Sequence, residues 1–200
     1  LFRSFKSGLR ENMVPGTADA VVTAASADEA ASLAASFETF IKQEAKISGN
    51  AELSDKTVTF HVVGKGAHGA SPQSGINAAT FLATFLNDYS FAEGAYSFIN
   101  TIAEFIHEDF YGEKLGVAFE DEKMGKLTMN AGIVNFDPEN PENSLVTLNF
   151  RYPKGTSAEE LQAKVQATVG ETVTATQGDR NQEPHYVPVD DPLVATLLQV

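Results

Sequence analysis

The sequence predicts an α+β fold, built as two ferredoxin-like layers that are each a mainly antiparallel sheet with helices packed on one face. Three observations lead there. The segments read strand–helix–strand–strand–helix, then strand–strand–helix–strand. Several strand segments alternate apolar and polar residues, the mark of a sheet buried on one side only. An apolar content of 42% with 14 Phe in 200 residues supplies enough core for one domain or two small ones.

Taken in order, residues 18–25 are rich in Val and Ala and suit a strand. Ser26 and Glu29 form a capping box, in which the hydroxyl takes an orphan amide and the carboxylate reaches back. Ala30, Leu33, Ala34, Phe37 and Ile41 then recur at helical spacing, and Asn50 marks a turn. Residues 57–63 put Val58, Phe60 and Val62 on one face of a strand, with Thr57, Thr59 and His61 on the other.

A Gly-rich loop at 64–75 precedes a helix over 76–89, where Ala78, Leu82, Phe85 and Tyr89 share a face. A second helix over 95–107 carries Phe98, Ile99, Ile102 and Ile106. Leu127, Met129, Ala131 and Ile133 alternate along one strand, and Val146, Leu148, Phe150 and Tyr152 along another. Residues 137–143 are the polar, Pro-containing connection of a hairpin. Ser157 and Glu160 make a second capping box ahead of Leu161 and Val165, and 171–176 reads as a last strand.

The charge balance excludes whole classes of function. The chain carries a formal net charge of −13, which repels phosphate backbones and anionic lipid and argues against nucleic-acid and membrane-surface roles. No apolar run reaches the roughly 18–20 residues of a membrane span, and no signal-peptide pattern opens the chain. With Cys 0 there is no disulfide frame and no thiol chemistry, which suits the cytoplasm. The opening at Leu1 and an apparent helix start at Asp190-Asp191-Pro192 suggest a piece of a larger protein. Residues 1–190 would form one domain of two α+β subdomains, with 191–200 returning to a further domain.

Three constellations could carry chemistry. Gly64-Lys65-Gly66-Ala67-His68-Gly69 formally satisfies a dinucleotide fingerprint, yet Ser71-Pro72 delays the helix that should follow and Asp88 falls on a helix instead of a strand end. What remains is a loop able to approach a ligand closely while presenting one imidazole. Arg151 lies opposite the apolar face of its strand, where a forked donor suits bidentate capture of a carboxylate, or an ordinary surface ion pair. His107 and Asp109 have metal-like spacing, but on a helix they diverge, and His107 reads as a cation at a helix C-terminus. No complete metal set and no nucleophile–base pair is visible.

The run from Phe60 to Ala79, FHVVGKGAHGASPQSGINAA, closely resembles the lid-domain signature of PepV-type dipeptidases. These belong to the di-zinc family that also holds carnosinases, aminoacylases and succinyl-diaminopimelate desuccinylases. Gly8–Pro15 (GLRENMVP) is similar to that subfamily's approach to the lid, and Leu148–Pro153 (LNFRYP) to its arginine-bearing strand.

The resemblance implies a cytoplasmic, monomeric parent enzyme whose catalytic domain, in the same polypeptide, binds two zinc ions (Zn2+) outside this chain. It further implies that His68 stabilises the oxyanion, that Arg151 holds the terminal carboxylate of a dipeptide and that Asn12 assists there. On this reading the 200-residue piece binds no catalytic zinc and hydrolyses nothing alone. The alternative is a free-standing ferredoxin-like regulatory module that binds a small ligand such as an amino acid.

Overall fold

The computed structural model describes residues 1–188, 191 and 192, so the expected helix after Pro192 lies outside the described residues. The main strands are β1 (Phe2–Ser7), β3 (Thr17–Thr23), β4 (Ser48–Ser54), β5 (Thr57–Val63), β9 (Thr128–Phe136) and β10 (Leu145–Arg151). Two-residue strands β2 (Met13–Val14), β6 (Ala67–His68), β7 (Glu120–Asp121) and β8 (Gly125–Lys126) form small ladders of their own. The helices are α1 (Ala27–Gln43), α2 (Ala78–Asn87), α3 (Glu93–Phe105) and α4 (Ala158–Val169).

The α+β class and the antiparallel pairing are as expected, and the two α+β layers are joined. The six long strands form one sheet in the order β10-β9-β1-β3-β5-β4, with β1 bridging the halves. All five pairings within it are antiparallel, so the parallel crossover that a dinucleotide site needs is missing among the described residues.

Local chemistry starts α1 and α4 where the sequence places them. Ser26 Oγ accepts from Glu29 N–H at 3.1 Å, and the Glu29 carboxylate accepts from Ala25 N–H at 2.8 Å. Ser157 Oγ accepts from Glu160 N–H at 3.3 Å. α1 lays Ala30, Leu33 and Phe37 against the sheet. α2 is buried almost all round, as expected for an apolar helix held between a sheet and a neighbouring helix, here α3. Phe60 of β5 meets Phe37 of α1 and Phe85 of α2 with ring centroids 4.9 and 5.6 Å apart. Phe5 of β1 meets Phe98 of α3 at 5.9 Å.

The strand expected over 171–176 does not form. Its backbone is taken by side-chain amides of α4: Gln162 Nε2 donates to Ala175 O, Gln166 Nε2 donates to Val173 O, and Gln166 Oε1 accepts from Ala175 N–H. Among the described residues no helix is long and apolar enough to cross a membrane.

Candidate functional site

The Gly-rich loop is tied at its base. Lys65 and Ile76 exchange two backbone hydrogen bonds of 2.9 and 2.8 Å, closing residues 66–75 into a self-contained loop. Its first arm, β6, pairs with β2 so that His68 stands opposite Met13, and Gly69 N–H donates to Asn12 O at 2.8 Å. Asn12 and His68, 56 residues apart in sequence, are thereby neighbours.

The turn beyond β6 sets the chemistry of the imidazole. Ala70 N–H donates to His68 Nδ1 at 3.1 Å, and Ser71 N–H donates to His68 O. An acceptor at Nδ1 leaves the proton of the neutral ring on Nε2, so the exposed edge of His68 presents an N–H donor.

The Asn12 segment is pinned to the sheet. Asn130, buried on β9, donates through Nδ2 to Met13 O at 2.9 Å and to Glu11 O at 3.4 Å. The close approach needs Gly132, because a side chain there would collide with the Glu11 backbone. The β9–β10 register sets Asn149 opposite Asn130 and Arg151 opposite Thr128. Residues two apart on a strand, and residues directly opposed across a ladder, share a face. Thr128, Asn130, Asn149 and Arg151 therefore stand on one face of the sheet.

Asn149 Oδ1 also abuts the Gly69 turn, 3.2 Å from where a side chain on Gly69 would begin. Asn12, Ala70, Asn149 and Arg151 line a single open concavity. The structure thus brings the three sequence-predicted residues, His68, Asn12 and Arg151, to one corner. The Arg151 guanidinium is exposed and makes no ion pair with the described residues. Residues 177–183 border the same concavity, with Arg180 paired to Glu11 at 3.3 Å and Tyr152 Oη donating to Asn181 at 3.0 Å.

Sequence reasoning does not single out Thr128, Asn130 or Asn149. The available signal is a polar residue at alternate positions beside Arg151, and an Asn inside the apolar run Leu127–Ile133.

The other histidines fall elsewhere. His107 is mostly buried at the end of α3, where its Nδ1 lies 3.1 Å from Thr80 Oγ1 and its ring meets Phe81 edge-on. Burial is the main cause that holds its pKa below 6.5, with Lys114 and Lys46 adding to it and Glu108 opposing. The cationic helix cap expected of His107 is corrected accordingly. Asp109 points inward and accepts from the N–H groups of Tyr111, Gly112 and Lys114, which makes it a loop anchor. His61, with no carboxylate near it in sequence, is brought by the β3–β5 register to 2.6 Å from Asp19 on the helix-free face. Among the described residues no three His, Asp or Glu side chains group closely enough to hold a metal ion.

Comparison with known proteins shows which family the chain belongs to. The chain is 37% identical over 196 residues to the Beta-Ala-Xaa dipeptidase of Lactobacillus delbrueckii subsp. lactis, covering 98% of this chain and 40% of that protein. It is 32% identical over 197 residues to a protein of Staphylococcus saprophyticus named "Putative dipeptidase", covering 98% of this chain and 41% of that one. A protein of the same name in Staphylococcus epidermidis is 31% identical over 194 residues, or 97% of this chain and 40% of its own length. The chain therefore spans about 40% of the length of the curated relatives it matches. Residues 54–176, more than half the chain, match the family described as peptidase dimerisation domain, of the M20 type, and the chain belongs to that family.

Proposed function

We propose that this chain is the substrate-clamping lid of a dipeptidase, closing over a dipeptide held against a catalytic domain of the same polypeptide. The observation that carries the reading is that Asn12 and an exposed Arg151, without an ion pair among the described residues, line one concavity, with the His68 strand paired to the Asn12 segment beside it. The names of the relatives point to dipeptides as the substrate class, and that of the Lactobacillus relative to β-alanyl dipeptides for that protein.

In this reading Arg151 grips the substrate's terminal carboxylate with two parallel N–H donors, and the Asn12 amide adds a third. The carboxylate fixes the register of the dipeptide, which brings the scissile carbonyl beneath the His68 turn. The Nε2–H of His68 then donates to the oxygen on which negative charge develops as the carbonyl becomes tetrahedral. Such a donor acts mainly in the transition state, and removing one costs about 2.7–4 kcal/mol of barrier. Closure over the substrate also expels water and strengthens each contact.

The family resemblance assigns the zinc pair to a catalytic domain elsewhere in the polypeptide; no group of three His, Asp or Glu that could hold a metal occurs among the described residues. The enlarged lid takes the place of a second subunit, which makes the whole protein a monomer. The lack of cysteine supports a cytoplasmic setting.

Steady-state kinetics of the full-length protein test the reading. His68→Ala is expected to lower kcat at least about tenfold with little change in KM, and an unchanged kcat would remove the oxyanion role. Arg151→Ala is expected to weaken free dipeptides far more than C-terminally amidated analogues. Equal loss on both substrates would refute carboxylate capture.

A further inference from the structure

Two buried oxygens beside Arg151 have no partner. Thr128 Oγ1 and Asn149 Oδ1 are both closed off from solvent and make no hydrogen bond with the described residues. Leaving a buried polar atom unpaired costs free energy, so native proteins rarely tolerate one without a reason. Here two occur on one sheet face, flanking a residue whose side chain is rich in donors and makes no ion pair with the described residues.

Thr128 stands directly across the ladder from Arg151, and Asn149 precedes Arg151 by two positions on the same strand face. Both lie within reach of an arginine side chain. A guanidinium has five N–H donors, and a bidentate carboxylate uses two of them, which leaves three to be satisfied. The two orphan oxygens are acceptors that the register sets beside those donors; being closed off from solvent, they are reached only once the groups covering them give way.

We propose that Thr128 and Asn149 form the seat of the Arg151 guanidinium. Without substrate the side chain extends into solvent. When a carboxylate arrives, the guanidinium swings down onto Thr128 Oγ1 and Asn149 Oδ1 and presents its fork at a fixed angle to the ligand. The two residues are positioning residues that act through Arg151, and the inference rests on the carboxylate-clamp reading above. Asn149 also touches the Gly69 turn, so the seat links the arginine to the element that carries His68.

The test uses Thr128→Val and Asn149→Leu in the full-length protein, singly and combined. KM for a free dipeptide is expected to rise about tenfold for each single variant and about a hundredfold for the pair, the lower end of the loss typical of hydrogen bonds to a charged group. KM for the C-terminally amidated analogue should move much less. In an Arg151→Lys background the same substitutions should have almost no further effect, because an ammonium cannot fill the seat. Thr128→Ser, which keeps the hydroxyl, should restore most of the loss at that position.

Stability separates this role from a structural one. Replacing an unpartnered buried oxygen by an apolar group of similar shape should leave Tm of the ligand-free protein unchanged or raise it. Should the larger variants fail to fold, Thr128→Ala and Asn149→Ala serve in their place. A fall in Tm with equal KM changes on free and amidated substrates would overturn the seat, as would effects that persist undiminished in the Arg151→Lys background. If Arg151→Ala discriminates free from amidated dipeptides while the Thr128 and Asn149 variants do not, the seat fails and the clamp stands. If Arg151→Ala does not discriminate, the clamp itself fails.

Discussion

The helix-backed half of the sheet and the β9–β10 corner are made by opposite rules. Around β3 and β5 the buried side chains are apolar, the rings of Phe37, Phe60 and Phe85 interlock, and ladder and helix bonds satisfy the backbone. At the corner, four polar residues share one face, and among the described residues two of their oxygens lack donors and the arginine makes no ion pair. The first arrangement is complete without a ligand, whereas on the seat proposed above the second becomes complete only when a group that accepts from Arg151 draws it down. Stability and recognition thus reside in separate places. A protein can leave polar groups orphaned where one of its own donor-rich side chains settles on them as substrate binds, provided a dry core elsewhere carries the fold.

The largest effect that would test this contrast is in the dry half. Phe60→Ala empties the centre of the aromatic cluster, and large-to-small changes of this kind cost about 3–5 kcal/mol. Urea unfolding should register that loss, while the fraction of molecules still folded keeps its KM for dipeptides. A large rise in KM at full folding would mean that the two regions are coupled and that the contrast is false.

A smaller effect, of the opposite kind, is expected at the corner. A methyl group on Gly69 would sit 3.0 Å from Asn12 O and 3.2 Å from Asn149 Oδ1, forcing the His68 turn and the Asn12 segment apart by a few tenths of an ångström. Misplacing a catalytic group by about 1 Å can cost on the order of a hundredfold in rate, so a shift of a few tenths in Gly69→Ala should lower kcat by about three- to tenfold. Thermal unfolding should hardly move, because the loop contributes little to the core. A Gly69→Ala protein of normal activity would show that the turn need not hold His68 closely.

The two regions also differ in how far the sequence discloses them. β5 is legible residue for residue, because Val58, Phe60 and Val62 alternate without interruption. The starts of α1 and α4 are legible from their capping boxes. β4 escapes notice because it is an edge strand of mostly exposed polar residues with no buried face to impose a period. β1 escapes it because a register shift between Phe2 and Ser4 breaks its alternation. The alternating Thr and Val of 171–176 suggest a strand, but two glutamine side chains of α4 occupy its backbone groups instead.

At the corner, His68 and Arg151 stand out by chemistry and Asn12 by resemblance. Thr128 and Asn149 do not, because an unpartnered oxygen is a property of the β9–β10 register and of the loop laid over it. Residue type alone carries no trace of it.

The smallest expected effect concerns His107, a titratable group placed on the dry side. In the unfolded chain its ring titrates near the ordinary value of 6.5; in the folded protein burial holds it lower, helped by Lys114 and Lys46 and opposed by Glu108. The unfolded state therefore takes up the proton first as the pH falls. Stability from this group is complete above pH 6.5 and drains away on acidification until the folded ring titrates in turn. His107→Gln keeps a polar atom for Thr80 Oγ1 and bulk against Phe81 but cannot be protonated. Urea midpoints measured at about pH 7.5 and about pH 5.5 should thus fall less in the variant than in the parent. An identical fall in both would mean that the pocket around His107 admits the charged ring as readily as water does, and the helix-backed half would then be less dry than its packing implies.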